Sequence, residues 1–476
     1  MTYLLFGMAS AATRTVGPGK TFAAPCAAIA AATDGDLIEV DASGNYAGDV
    51  CYWNKNGLTI RGVNGRAHID ADGQDSGGKA IWVIGGNDTT IENIELSGCS
   101  VADQNGAGIR QEGTNLTLRH CYFHDNENGI LTGANLSSEI LVEYSEFGNN
   151  GDGVGYAHNM YIGNVGKFTL RHSYSHHAKE GHLVKSRAAE NYILYNRITG
   201  EATGWQSYEI DLPNGGTSVV LGNVIEQSDS THNPTMLTYR EEGGAAGNSG
   251  TDLYVINNTF VNNRASGGTF VNIQAANPTA AILTNNAFVG PGTVCSQATA
   301  VLSHNYVGTS PLFADAESYD YHPLSGSPLE NTGIDPGTGA GMNLLPIFMY
   351  VHAANREGRV SVSTIDIGAF ELNGSGPDDG GYPEHDGAVS PDGGGADTIT
   401  TSDGVPAGDA SHDDLVSPGD GAAPTSDGSL ATPSNSSTAL VAGCACRDTP
   451  GATWAAALAA LFFGRQRVMR RQVASL

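Results

Sequence analysis

Leu194-Tyr195-Asn196-Arg197-Ile198, Leu221-Gly222-Asn223-Val224-Ile225, Ile256-Asn257-Asn258-Thr259-Phe260, Thr284-Asn285-Asn286-Ala287-Phe288 and Ser303-His304-Asn305-Tyr306-Val307 are five copies of one phrase. Earlier copies keep the frame without the asparagine: Asn93-Ile94-Glu95-Leu96, His120-Cys121-Tyr122-Phe123, Tyr144-Ser145-Glu146-Phe147 and His172-Ser173-Tyr174-Ser175. The phrase thus returns every two to three dozen residues from Asn93 to Asn305. In the later copies the asparagine follows an alternating apolar strand such as Tyr192-Ile193-Leu194 or Ser218-Val219-Val220. Asparagine tolerates the left-handed backbone of a tight bend, and stacked carboxamides hydrogen-bond along a stack. An Asn ladder at one turn is expected. Two residues on, Leu96, Phe123, Phe147, Ile198, Ile225, Phe260, Phe288 and Val307 form an apolar column, interrupted by Ser175.

No single coil buries such a face alone, so stacked coils must supply the stability. The variable spacing places insertions in loops on one side, where solenoids carry binding sites. From Thr15 to Leu372 the pattern resembles the right-handed parallel β-helix of the pectate-lyase-like superfamily. The expected fold is all-β, a parallel β-helix solenoid over residues 14–372 with an N-terminal capping helix and a disordered C-terminal linker.

Composition narrows the function classes. Of the 50 acids, 13 lie between Asn373 and Asp448, and of the 23 bases, 5 are arginines after Cys446, which leaves the body 37 acids against 18 bases. Nucleic acid is therefore not an expected partner, because phosphate binding needs a basic footprint. A polyanionic sugar chain stays admissible, since a local basic groove or bound cations outweigh global charge. Seven cysteines are too few to define a fold of this length. Cys26, Cys51, Cys99 and Cys121 fall in the first coils, where an exported protein staples its end, but their connectivity is not readable; Cys295 is expected to be buried.

The chain ends carry their own signals. Met1 to Thr13 holds a short apolar run, Tyr3 to Met8, then Ala9-Ser10-Ala11-Ala12, and resembles the rear of a secretory signal without its basic front. Phe22 to Ala32 has helical spacing and is expected to cover the first coil. Thr364-Ile365-Asp366-Ile367-Gly368-Ala369-Phe370-Glu371 is expected to close the far end. Residues 373–442 are rich in Gly, Ser, Thr, Pro and Asp and cannot bury enough surface to fold, so they are expected to be a linker. In 443–476, Cys444 and Cys446 precede an apolar run from Trp454 to Phe463 and the bases Arg465, Arg467, Arg470 and Arg471. That order resembles the myxobacterial C-terminal sorting segment, although the run is shorter than the roughly 20 residues a spanning helix needs. Membrane anchoring through this segment, a cell-surface location and a monomeric state are the resulting expectations.

One stretch is crowded with groups of catalytic type: His158-Asn159, His172, His176-His177, Lys179-Glu180, His182, Lys185 and Arg187, with Tyr208, Glu209 and Asp211 one coil on. Residues two apart in a strand face one way, so Lys185 is expected to project with Arg187, and Glu209 with Asp211. The resemblance implies a polysaccharide lyase in which a Lys or Arg base removes the proton beside a uronate carboxylate; some such enzymes hold calcium between carboxylates. Lys185, Arg187, His182, His158 and Tyr208 are the catalytic candidates, and Glu209, Asp211, His176 and His177 the substrate-binding ones. The Arg-x-Pro-x-x-Arg signature of pectate lyases is absent, because Arg187 is followed by Ala188-Ala189-Glu190. Lys185 also has a simpler role open to it, an ion pair with Glu209 or Asp211. No histidine pair has a spacing that specifies zinc. A glycosidase would use Glu209 and Asp211, with Asp152 nearby; uronate epimerization and non-catalytic glycan adhesion complete the alternatives.

Overall fold

The computed structural model describes residues 11–201, 203–242 and 247–372, together with the backbone of 375–376. The apolar run Tyr3–Met8, the expected sorting segment and the expected linker lie outside the described residues, except that the backbone of Ser375–Gly376 pairs as a strand with Gly358–Arg359. Thr13, placed with the leader by sequence, instead opens the first strand, Thr13–Val16.

Each coil runs through three parallel sheets in turn, here named A, C and B. Sheet A has twelve strands and sheets B and C have ten each. The connection from A to C is short and constant, as at 144–145, 172–173, 195–196, 222–223, 257–258, 285–286 and 304–305. The connections on either side of sheet B vary, from the single turn at 187–189 to the loops at 149–159 and 240–252. Insertions therefore flank one sheet, and that sheet is B.

Strand alternation fills the interior. On sheet A, Ile60, Ile91, Leu118, Val142, Leu170, Ile193, Val220, Val255 and Leu283 are successive partners in register. On sheet C the apolar column pairs as its spacing requires, from Leu96 through Phe123, Phe147, Ser175, Ile198, Ile225, Phe260 and Phe288 to Val307. Phe123 stacks on Phe147 at 4.9 Å and Phe260 on Phe288 at 5.2 Å. Full burial of each such side chain is worth about 1.5–3 kcal/mol.

The five asparagines stack at the A-to-C turn. Asn223 Oδ1 accepts both the backbone N–H and the Nδ2 of Asn196, each at 2.9 Å. Its own Nδ2 donates to Ile193 O at 2.8 Å and to Asn258 Oδ1 at 2.9 Å. The same set repeats from Asn258 to Asn286 and from Asn286 to Asn305. The left-handed backbone, however, belongs to the residue before each asparagine: Tyr195, Gly222, Asn257, Asn285 and His304 all have φ between 49° and 69°. The earlier copies continue the ladder with other acceptors, since Asn196 Oδ1 takes Ser173 N–H, Ser173 Oγ takes Ser145 N–H, and Ser145 Oγ takes Cys121 N–H.

A helix spans Pro25–Ala31, within the expected Phe22–Ala32, and buries Ala28 and Ile29. A disulfide joins Cys26 to Cys51 across 25 residues, a loop whose closure in the unfolded chain is worth about 3 kcal/mol on the chain-entropy account. Among the described residues Cys99 and Cys121 are free and buried, so they do not staple the first coils, and Cys295 is free and half-buried.

The segment after Gly308 does not end the solenoid as the sequence suggests. It folds back along the flank. Phe348 meets Tyr195 and His172 edge-on at 5.6 and 5.3 Å, Asn257 Nδ2 donates to Asp366 O, and Ala369 N–H donates to Thr259 Oγ1. Met349, Ala369 and Phe370 pack on Val224. Leu302 and Val307, inward in register, remain half exposed on the last coil.

Replacing Asn223 by Leu removes the acceptor of two buried donors on the preceding coil and takes a side-chain donor from Ile193 O. We expect a loss of at least about 3 kcal/mol, measured by urea unfolding. A loss under about 1 kcal/mol would mean that the ladder is not a stability determinant.

Candidate functional site

The outer face of sheet B carries most of the expected residues. Tyr161, Lys185, Asp211 and Thr238 are consecutive partners in register, one above another on four coils. Inward neighbours Val184, Ile210 and Leu237 are buried, which fixes the polar column outward. Lys185 Nζ lies 3.6 Å from Asp211 Oδ2 and 5.3 Å from the Tyr161 ring centroid. Thr238 Oγ1 donates to Asp211 Oδ1 at 2.5 Å.

Arg187 shares the Tyr161 ring with Lys185, its Cζ standing 5.8 Å from the centroid. Its guanidinium is already occupied. Nε donates to Tyr161 OH, Nη1 to Asn214 Oδ1 and Nη2 to Glu242 Oε2, at 3.0, 2.5 and 2.6 Å. Lys185 and Asp211 are almost covered, with side-chain exposures of 13% and 5%, so their pair is not the exposed one that the sequence suggests. Burial pushes the Asp211 carboxyl up, and the Lys185 charge holds it down in part.

Three residues before Tyr161, Lys185 and Asp211 stand His158, His182 and Tyr208, again one above another. His158 stacks on His182 at 4.4 Å, and His182 meets Tyr208 at 4.9 Å. His158 Nδ1 accepts His182 N–H at 2.9 Å, and His182 Nδ1 accepts Tyr208 N–H at 3.3 Å. Both rings are buried, which lowers their pKa well below the ordinary histidine value. A neutral ring with Nδ1 accepting carries its proton on Nε2, and His182 Nε2 lies 3.5 Å from Asp211 Oδ2. These rings tie coils together, as the asparagines do.

Two expected groupings are not found. Glu209 does not project with Asp211; the strand begins at Ile210, and Glu209 lies in the preceding bend, wholly buried. Gln206 Nε2 and Gln227 Nε2 donate to its two oxygens at 2.8 and 3.4 Å. Burial holds its carboxyl well above the usual range, and the unpartnered Gln206 Oε1 and Gln227 Oε1 suit a protonated acid that donates. His176 and His177 lie on the sheet C side, where His176 Nε2 faces Glu146 Oε1 at 3.2 Å and the two rings share an Nδ1–Nδ1 contact of 2.8 Å. The histidine-rich stretch thus wraps around a corner. At that corner Asn159 enters the interior and donates to Ser175 Oγ at 3.1 Å and His176 O at 2.8 Å, which explains why the apolar column gives way to serine.

The sequence reading missed a second polar site. Between sheet C and residues 309–324 lies a cavity of about 940 Å³, lined by His177, Arg197, Glu201, Glu226, Tyr319 and Tyr321 among others. Arg197 Nη2 lies 2.8 Å from Glu201 and 3.0 Å from Glu226. Tyr174 and Tyr321 hydroxyls donate to the same two acids at 2.6 and 2.8 Å. The guanidinium stands 4.3 and 5.2 Å from the Tyr319 and Tyr321 rings, and its Nη1 has no hydrogen-bond partner among the described residues. Although burial opposes it, Arg197 keeps the Glu201 carboxyl below its usual range. The residues on either side of the apolar column in the repeat are the outward ones on this sheet. Listing those columns would have exposed Tyr174, Arg197 and Glu226.

A calcium site at Lys185 does not fit. Asp211 is engaged by Thr238 and Lys185, and Glu242 by Arg187. Among the described residues, the set of three His or acidic side chains close enough to share an ion is on sheet C, at His68, Glu95 and His124.

Comparison with known proteins supports the architecture. Residues 49–159 match the family model described as "Right handed beta helix region", and the solenoid is right-handed. The crystal structure of pectate lyase Pel9A superposes with a TM-score of 0.51 at 15% identity, covering 77% of this chain and 98% of that one. The Dettilon tailspike protein (gp208) gives 0.26 at 13% identity, with coverages of 58% and 64%. No curated protein sequence matches the chain.

Because Glu209 has a raised folded-state pKa, its contribution to stability is lost as pH rises above the unfolded value near 4.3. Glu209→Gln should therefore raise the Tm at pH 8 more than at pH 5. A Tm difference independent of pH would show that Glu209 does not stay protonated.

Proposed function

We propose that the chain is an exported β-helix protein acting on polysaccharide, and that it cleaves uronate-containing glycans by β-elimination at Lys185. The supporting observation is the Tyr161–Lys185–Asp211–Thr238 column with Arg187 beside it, on the sheet that the variable loops flank. The likeness to pectate lyase Pel9A supports the fold alone.

In this reading Lys185, charged in its resting pair with Asp211, first gives a proton to solvent, and the amine so formed takes the proton beside the uronate carboxylate. The C–H electron pair becomes the new carbon–carbon double bond, the glycosidic oxygen leaves and takes a proton from water, and Lys185 returns its proton to solvent. Arg187 exchanges Glu242, which is largely exposed, for the substrate carboxylate, a match for its planar fork. A hydrolase fits less well. Of the pair expected for it, Glu209 is wholly buried between Gln206 and Gln227 and Asp211 is engaged by Lys185 and Thr238, so the two do not flank a glycosidic bond. An epimerase would use the same proton abstraction without cleavage.

Lys185→Ala is a poor test, because it leaves Asp211 buried without its cation. Lys185→Arg keeps the charge that Asp211 needs and, with the far higher pKa of a guanidinium, is a much weaker source of free base near neutrality. Assayed on polygalacturonate, alginate and hyaluronate by the ultraviolet absorbance of the unsaturated product, with and without calcium, it should lose about 10²-fold or more in turnover. Turnover equal to the parent's removes Lys185 from the mechanism.

A non-catalytic glycan-binding role is favoured by the sheet C cavity, where tyrosine faces and planar polar groups offer what sugar rings bind. It predicts binding that survives Lys185→Arg and fails in Tyr319→Ala.

Export is supported by the Cys26–Cys51 disulfide, a bond that persists in oxidising compartments. We read the Pro25–Ala31 helix as the cover of the first coil, 373–442 as a linker and 443–476 as a surface anchor on a monomeric protein. Deleting 443–476 should release the folded solenoid into the medium, and unchanged attachment would sink the anchor.

A further inference from the structure

The first residues outward on sheet C form a polar face that the proposed chemistry does not use. Register sets His68 beside Glu95, and sets His124 beside Ser97 on the next coil. The His124 ring reaches back across the face. Its Nε2 lies 3.1 Å from Glu95 Oε1, and His68 Nε2 lies 3.7 Å from the same oxygen. One ligand atom from each of the three side chains falls within 4.8 Å of the others. Ligands about 2.0–2.2 Å from a tetrahedral ion stand about 3.3 Å apart. Two of the separations are already near that value, and the third closes by side-chain torsion.

The His124 ring is held in place. It stacks on Tyr122 at 4.3 Å and faces His68 at 5.9 Å. Its far nitrogen, Nδ1, lies 2.9 Å from Asp125 Oδ2, the arrangement in which a carboxylate fixes the tautomer of a metal-bound histidine and leaves Nε2 as the ligand. Without an ion, both nitrogens point at carboxylates. His124 thus marks a place where two carboxylates seek a cation.

We propose that His68 Nε2, Glu95 and His124 Nε2 bind one divalent ion of the zinc, cobalt or copper class, with Asp125 orienting His124 and the remaining coordination open to solvent. Two imidazoles and one carboxylate select such ions over calcium, whose ligands are oxygens. Ser97 Oγ, now 2.7 Å from His68 Nε2 and bonded to Asp70, must release His68. Arg66, near Tyr122, and Lys179, bonded to Asp125, set the opposing charge. Because an imidazole nitrogen binds a metal only when deprotonated, binding weakens as pH falls.

The test uses the full chain stripped with a chelator and titrated with Co²⁺ at pH 7.5, followed by visible absorption and calorimetry. One Co²⁺ per chain is expected, displaced by Zn²⁺ and weakened at pH 5.5. His68→Gln and His124→Gln should each weaken binding at least 100-fold, Asp125→Asn by about 10–100-fold, and the distant His322→Gln not at all. Anomalous density at this trio in a Zn²⁺-soaked crystal would locate the ion whatever the variants do to folding. A parent that binds no Co²⁺ or Zn²⁺, or binding unchanged in both histidine variants, overturns the proposal and leaves a protonated histidine between carboxylates.

Discussion

A buried carboxamide must fill its hydrogen-bonding positions, and a stack of identical turns is one of the few ways to do so without water. Asn196, Asn223, Asn258 and Asn286 each serve three partners, the coil before, the coil after and a strand carbonyl. The demand fixes the A-to-C turn at constant length and sets the register of sheets A and C on either side. With that seam fixed, the other corners are free to lengthen. The residues with chemistry to offer sit on sheet B between the variable loops, and on sheet C, where the fixed register stacks outward side chains coil on coil.

Most of the frame was legible because asparagine and the apolar column repeat at the same offset. The ladder's continuation through Ser173, Ser145 and Cys121 was not, because a hydroxyl or a backbone N–H does the amide's work there. A second ladder, Asn126–Asn150–Asn159, hid in a polar stretch that reads as loop. The strand-parity rule placed Lys185 and Arg187 on one face, and it misplaced Glu209, because strands of three residues leave little length over which parity holds. His68, Glu95 and His124 are far apart in sequence, and only register brings them together.

The two polar faces differ in electrostatic character. On sheet B a buried lysine–aspartate pair and neutral histidines leave little free charge, so reactivity depends on exchanging partners. On sheet C, Arg197 is shared by two acids, and His124 lies between two more. Acidic groups outnumber cations there, in keeping with the composition of the body.

The returning segment also decides where mechanical load enters the protein. Residues 366–371 are held by Arg359 to Glu371, Gly368 O and Asp366 O and by Ala369 to Thr259, and the backbone of Ser375–Gly376 pairs with Gly358–Arg359. A pull on the chain beyond Leu372 therefore bears on the flank at the Thr259 strand, not on the half-exposed last coil. The strap spreads that force across Asn257 and Asn285, and the coils of sheet B are spared the first strain.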